Sequence, residues 1–438
     1  MTGQPSGGPI NILTAIRSRW GWTRQRFKFW IARQPEWIAR GFAGREAGRF
    51  TLKRLNILHT ATWLRADRFP AIGGCPRERY HWVLFCSNFS GPWDPYRQAF
   101  LDVPRKGVRT LWGTSIGFPR FPKPGSRYEL EAWIAYRLPP TDHYFRAYPS
   151  LSPHDVRGAV RLAREIEALA LASPDPTQPG DAAALKPTFD QLHARVQDYS
   201  GDATALKPTF DQLLARVQDC LGGVPDEALT VSPVLGPPNA TGMSNMVSVM
   251  PILPGYETRT SDRIAALPTD AVSPFRNVPG THFARLAVLD RQTAAFHPRH
   301  AVTLRNSWLL LAVDFDGDFS TESPSARRMD VGEIRRYLRA IDEVPALRDI
   351  WRDCYGFRPG VALEDLLEPS VIERFVLFRD HGDTTLREIV PALQLKRTFM
   401  RLLGTGRLDN ADDIGRFLED VRRRVEARRR GGSRPVRR

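Results

Sequence analysis

THFARLAVLD (residues 281–290), followed by SWLLLAVDFDGDF (307–319), has a counterpart earlier in the chain in HTATWLRAD (59–67) followed by HWVLFCSNFSGPW (81–93). All four stretches are rich in β-branched and aromatic residues and run into turn formers, which is the composition of half-buried strands. The correspondence continues outward. IWRDCYGF (350–357) answers LWGTSIGF (111–118), and RFVLFRD (374–380) answers YFRAYPS (144–150). Paired residues are His59 with His282, Trp82 with Trp308, Phe89 with Phe315, Gly91 with Gly317, Trp112 with Trp351, Gly117 with Gly356 and Arg157 with Arg387. Their offsets drift only between 223 and 239, as loop insertions produce. A repeat of this length indicates an intramolecular pseudo-dimer, because solenoids repeat every 20–50 or so residues.

Around these anchors the pattern predicts strands over 57–64, 82–90, 108–118 and 143–148, and helices over 94–101, 128–137 and 153–171, the last opened by Pro153. The expected fold is α+β: two tandem ferredoxin-like units, 56–172 and 280–405, with a helical insertion between them. Residues 1–55 read as a Gly/Pro/Ser leader and a basic aromatic segment, and 223–279 as a Pro/Gly-rich connector whose apolar stretch is SNMVSVMPILPG (244–255). The insertion, 173–222, contains GDAAALKPTFDQLHARVQDYS (180–200) followed at once by GDATALKPTFDQLLARVQDCL (201–221), which differ at four of 21 positions. Pro187 and Pro208 can each open a helix, so the pair reads as one short helix recently duplicated. Residues 406–438 are expected to form a C-terminal helix and an Arg-rich tail.

The net charge of +15 is concentrated at the ends. Residues 17–54 carry eleven Lys or Arg against Glu36 and Glu46, and 421–438 carry nine Arg against Glu426, which leaves the middle nearly neutral. In the first segment the cations Arg17, Arg19, Arg24, Arg26 and Lys28 alternate with Trp20, Trp22 and Trp30; in the second they are Arg422, Arg423, Arg424, Arg428, Arg429 and Arg430. Interleaved rings and cations suit the headgroup boundary of an anionic membrane. They also suit phosphate contact and base stacking on nucleic acid, or simple packing of the rings on the first unit. Cys75, Cys86, Cys220 and Cys354 are widely spaced without a C-x-x-C pair, which argues against a zinc ribbon or a disulfide framework and for a reducing compartment. No run of about 18 apolar residues suggests a membrane span.

THFAR (281–285), SNMVSVMPILPG, NFSGPW (88–93), DFDGDF (314–319) and the W-x-x-x-x-G-F endings resemble a group of largely uncharacterised bacterial proteins found in the neighbourhood of haem peroxidases. The resemblance covers about residues 55–400 and implies paired ferredoxin-like units of the dimeric α/β barrel type. That barrel also hosts haem enzymes, but no G-x-x-D-G haem motif occurs here, and fold sharing does not transfer chemistry.

Two sets of residues invite a chemical reading. His59 and His282 stand at equivalent places near strand starts, where a repeated histidine serves either as a haem or metal ligand or as a structural hydrogen-bonding group. Side-chain alternation puts Arg285 on the side of Phe283 and opposite His282. Asp314, Asp316 and Asp318 alternate at a strand end, which offers carboxylates to a divalent cation or makes a solvated turn around Gly317. No nucleophile elbow, Walker loop, H-E-x-x-H or dinucleotide fingerprint occurs in a strand-to-helix context. The sequence therefore points to a non-catalytic or accessory protein, cytoplasmic and peripheral on the inner membrane face, that binds an apolar ligand or a partner redox enzyme. The alternatives are a haem-dependent oxidoreductase and a nucleic-acid-associated protein.

Overall fold

The computed structural model describes residues 8–16, 20–24, 27, 57–66, 69–91, 93, 108–109, 112–119, 126–135, 138–139, 141–149, 151–172, 233–269, 272–291, 302–318, 331–372, 374–380, 384–404 and 411–432. The duplicated 21-residue segment and the helix expected over 94–101 lie outside them. Eight strands are described: β1 (Gly8–Ile16), β2 (Leu58–Ala66), β3 (His81–Phe89), β4 (His143–Arg146), β5 (Gly242–Pro251), β6 (Thr281–Leu289), β7 (Trp308–Gly317) and β8 (Arg374–Arg379). The longer helices are α1 (Ser126–Ala135), α2 (Pro153–Ala172), α3 (Glu257–Ala265), α4 (Val331–Asp342), α5 (Leu386–Gly404) and α6 (Ala411–Gly432). The architecture is α+β, with two four-stranded antiparallel sheets ordered β1-β3-β2-β8 and β4-β6-β7-β5.

Counted within each half of the chain, both sheets run first, third, second strand, and the fourth comes from the other half. The registers match in detail. Ala66 faces Trp82 and Leu289 faces Trp308; Leu58 faces Phe89 and Thr281 faces Phe315. Arg379 pairs with Thr60 as Arg146 pairs with Phe283. In β2 the ladder skips His59, and in β6 it skips His282, so each histidine is the extra residue of a β-bulge. His59 O accepts from Asp380 N and His282 O from Ala147 N, both at 2.9 Å.

Two strands fall where the sequence suggested none. β1 runs from the end of the stretch read as leader into the segment read as basic and aromatic, and β5 occupies the apolar part of the connector. Both are edge strands, and Pro9 and Pro251 are tolerated there because one side of an edge needs no ladder donor. Conversely, the strand expected over 108–118 is not one: residues 108–109 are helical and 113–117 are turns and a bend. The chain reverses at Gly117, where φ is +70°, as it does at the paired Gly356, where φ is +81°. That left-handed conformation costs least at glycine.

The chain divides into two compact units. The first, Met1–Pro153 with Cys220–Leu386, holds both sheets. Their inner faces meet in one layer, which accounts for strands buried on both sides and for apolar runs without alternation. At one end the layer is apolar, with Leu13, Leu64, Trp82, Leu84, Val249, Leu289, Trp308 and Leu310 packed together. Phe69 is inserted between the paired tryptophans, 6.2 Å from Trp82 and 4.8 Å from Trp308 between ring centroids, and is held at φ +53°. On the outer face of the second sheet Phe315 stacks on Tyr337 of α4 at 4.3 Å.

The second unit, His154–Asp219 with Arg387–Arg438, is helical where described. In α2, Val156, Val160, Leu162 and Ile166 are buried. In the same unit Ile389, Phe399, Ile414, Phe417, Leu418 and Val421 are buried, and the rings of Phe399 and Phe417 lie 6.1 Å apart. Among the described residues no helix is long and apolar enough to cross a membrane.

Candidate functional site

The far end of the inter-sheet layer is polar. β6 carries Arg285 into it, where the guanidinium donates to Ile10 O (3.0 Å) and Asn11 Oδ1 (3.0 Å) of β1 and to Asn88 Oδ1 (2.6 Å) of β3. Opposite stands Asp314 of β7, whose carboxylate accepts from Thr60 Oγ1 (2.9 Å), Asn88 Nδ2 (2.6 Å) and Asn245 Nδ2 (2.7 Å). Tyr144 of β4 donates its hydroxyl to Asn88 Oδ1 at 3.1 Å. Asn88 and Asp314 occupy matching register positions, so one half supplies an amide where the other supplies a charge. Burial raises the Asp314 carboxyl above its ordinary 3.8, opposed by the Asn245 hydrogen bond and the charge of Arg285. Burial likewise pushes the Tyr144 phenol up to about 12 and the Cys86 thiol to about 12.

The bulged histidines make equivalent bonds. His59 Nε2 lies 2.7 Å from Ser90 Oγ and 3.0 Å from Leu151 O; His282 Nε2 lies 2.7 Å from Asp316 Oδ1. Ser90 and Asp316 each follow the paired phenylalanine of the third strand. The second nitrogen of His282 meets Tyr148 Oη at 3.1 Å. Burial and the charges of Asp314 and Asp316 hold the Tyr148 phenol well above its ordinary 10.0, so it keeps its proton. Phe283 and Tyr148 close over the His59 ring, with centroids 5.1 and 5.8 Å away. Asp316 also accepts from Leu386 N at 3.1 and 3.2 Å, and residue 236 must be glycine because a Cβ there would stand 2.4 Å from Asp316 Oδ2.

These residues do not fit a haem. Both nitrogens of His282 are engaged by protein groups, Nε2 of His59 is engaged twice, and the two rings are 0 and 2% exposed in a filled interior. Each histidine is hydrogen-bonded within the fold. The three aspartates, too, go separate ways: Asp314 into the inter-sheet layer, Asp316 to His282 and Leu386, and Asp318 to Thr241 Oγ1 at 3.3 Å. Among the described residues no three His, Cys, Asp or Glu gather as cation ligands. The layer thus acts as a clamp between sheets. Sequence reasoning did not find Arg285, Tyr148 or Asn88 as its members, and the only signal was a charged residue inside an otherwise apolar strand.

The basic aromatic segment divides by side. Trp22 is buried, its ring stacked on His81 at 4.6 Å with Arg65 5.3 Å above it, so it is part of the packed first unit and not of a surface. Trp20 is 72% exposed, Phe27 is 55% exposed and Arg24 is exposed. Within the helical residues 20–24, Trp20 and Arg24 stand about 40° apart at about 100° per residue, with Trp22 on the opposite side. Arg17, Arg19, Arg26, Lys28 and Trp30 lie outside the described residues. At the other terminus Arg423 and Arg424 pair with Asp420 at 4.0 and 2.6 Å, Arg422 with Glu419 at 4.0 Å and Arg428 with Glu167. The side chains of Arg429 and Arg430 are not among those described. Compared with known proteins, the chain matches no family model and no curated protein.

Proposed function

We propose that the chain is an intramolecular pseudo-dimer of two ferredoxin-like halves with exchanged fourth strands, and that it serves as a non-catalytic accessory protein on an anionic membrane surface. The matched registers and matched bulges support the first part. The second rests on one observation, the exposed side chains of Trp20, Arg24 and Phe27 set against the buried Trp22. Two exposed rings beside a cation, within a segment of net charge +9, form a surface that gains from headgroup burial and from anionic lipid together. Each cation near such a surface contributes about 1 kcal/mol and is screened by salt, whereas ring insertion is not. His59, His282, Asp314 and Asp316 are meanwhile buried.

Salt-titrated flotation of the full chain with phosphatidylglycerol-containing and with pure phosphatidylcholine vesicles tests this. Binding to the anionic vesicles is expected to fall with salt to a residual level, and Trp20→Ala with Phe27→Ala is expected to abolish that residue of binding. Indifference to anionic vesicles at low salt, or a nucleic-acid affinity falling along a log-salt line while vesicles are ignored, would overturn the reading.

A further inference from the structure

A cavity of about 600 Å³ opens beside the apolar end of the first unit, lined by Arg77, Glu78, Arg79, Thr303 and Arg305. These residues come from matching places: Arg79 and Arg305 each stand three residues ahead of the paired Trp82 and Trp308, and Arg77 and Thr303 five residues ahead. The cavity is thus built from the same loop of both halves. Its one carboxylate is turned away. Glu78 is 2% exposed, and its oxygens accept from Arg305 N (2.8 Å), Asn306 N (3.1 Å) and Trp308 Nε1 (2.8 Å). The other half has Leu304 in that place, and the Trp82 indole N–H accordingly finds no partner. Three exposed guanidiniums therefore converge on one opening, and among the described residues none forms an ion pair with a carboxylate.

We propose that this cavity binds a phosphoryl group carrying at least two negative charges, either on a soluble phosphate ester or on a phosphomonoester lipid headgroup. Guanidinium forks match phosphate oxygens two at a time, which a lysine or a hydroxyl cannot do. Three guanidiniums against the single carboxylate of Glu78, which is held by Arg305 N, Asn306 N and the Trp308 indole, leave an excess of positive charge that an entering anion offsets, and the Thr303 hydroxyl adds a donor at the rim. The volume falls in the range of small-molecule sites, which leaves room for an organic substituent on the phosphate. The site is independent of Trp20, Arg24 and Phe27, so either proposal can fail alone.

Calorimetric titration of the full chain with sodium pyrophosphate, against sulfate at equal ionic strength, provides the test. Saturable binding of pyrophosphate is expected, weakened at least tenfold in Arg77→Gln/Arg79→Gln/Arg305→Gln and unchanged in Arg416→Gln, with circular dichroism reporting that each variant is folded. Vesicles of phosphatidylcholine with phosphatidic acid, compared with phosphatidylglycerol at the same mole fraction, separate the sources. A preference for phosphatidic acid that the triple variant loses identifies a headgroup; pyrophosphate binding without that preference identifies a soluble ester. No saturable binding by the wild type, or equal binding by the folded triple variant, overturns the proposal.

Discussion

Arg285→Met is expected to lower the unfolding free energy of the first unit by about 3–5 kcal/mol, the range found when one member of a buried charged network is removed. The substitution removes the guanidinium donor from Ile10 O and Asn11 Oδ1, leaves Asn88 Oδ1 with Tyr144 alone, and takes the Arg285 charge from Asp314. Against a total stability of about 5–15 kcal/mol this is a large fraction. Its pH dependence has a definite sign. Asp314 already titrates above 3.8 in the folded protein, so the folded state holds the proton more tightly than the unfolded one, and stability falls as pH rises through that window. Loss of the cation raises the folded value further. Denaturant titrations from pH 4 to 7 should therefore show the smallest penalty at the acid end and the largest at neutrality. A penalty independent of pH would mean that Arg285 and Asp314 are not coupled.

Glu78→Ala has the second largest expected effect, about 3 kcal/mol or more. Its carboxylate satisfies backbone donors of Arg305 and Asn306 and the indole of Trp308, and each donor left buried and unpaired costs about 1–3 kcal/mol. The penalty is local to one half, since Leu304 already stands at the matching place in the other. A double-mutant cycle with Trp308→Phe isolates the indole part: the Glu78→Ala penalty should shrink by about 1–2 kcal/mol when the indole N–H is absent. Equal penalties in both backgrounds would remove Trp308 from the explanation.

β2, β3, β6 and β7 were legible as strands because they are central and buried on both faces, which calls for aromatic and aliphatic residues on both sides. β1 and β5 were not legible as strands. GPINILTAI and GMSNMVSVMP mix Gly, Pro, Ser and Asn with apolar residues, a composition that edge positions tolerate and that reads locally as loop. The exchange of fourth strands left no local trace either, because HYFR and RFVLFR state that they are strands but not which edge they join. LWGTSIGF misled in the opposite direction: its bulky residues suggest a strand, but Gly117 at φ +70° turns the chain. For the clamp, the bulge at His282 breaks the alternation on which the sequence reading of Arg285 and His282 relied, and hides the bond to Asp316. In the basic segment, charge pattern alone could not divide Trp22 from Trp20, because burial there is decided by His81 and Arg65, far along the chain.

The membrane reading is tested most directly by tryptophan quenching with vesicles of phosphatidylglycerol brominated on its acyl chains, since bromine quenches only rings that enter the acyl boundary. The fluorescence of the full chain is expected to drop on binding, and the drop is expected to disappear in Trp20→Phe but to persist in Trp22→Phe, whose ring is already packed on His81. Absence of quenching in vesicle-bound protein, or quenching that survives in Trp20→Phe, would contradict the assignment of that face to the membrane.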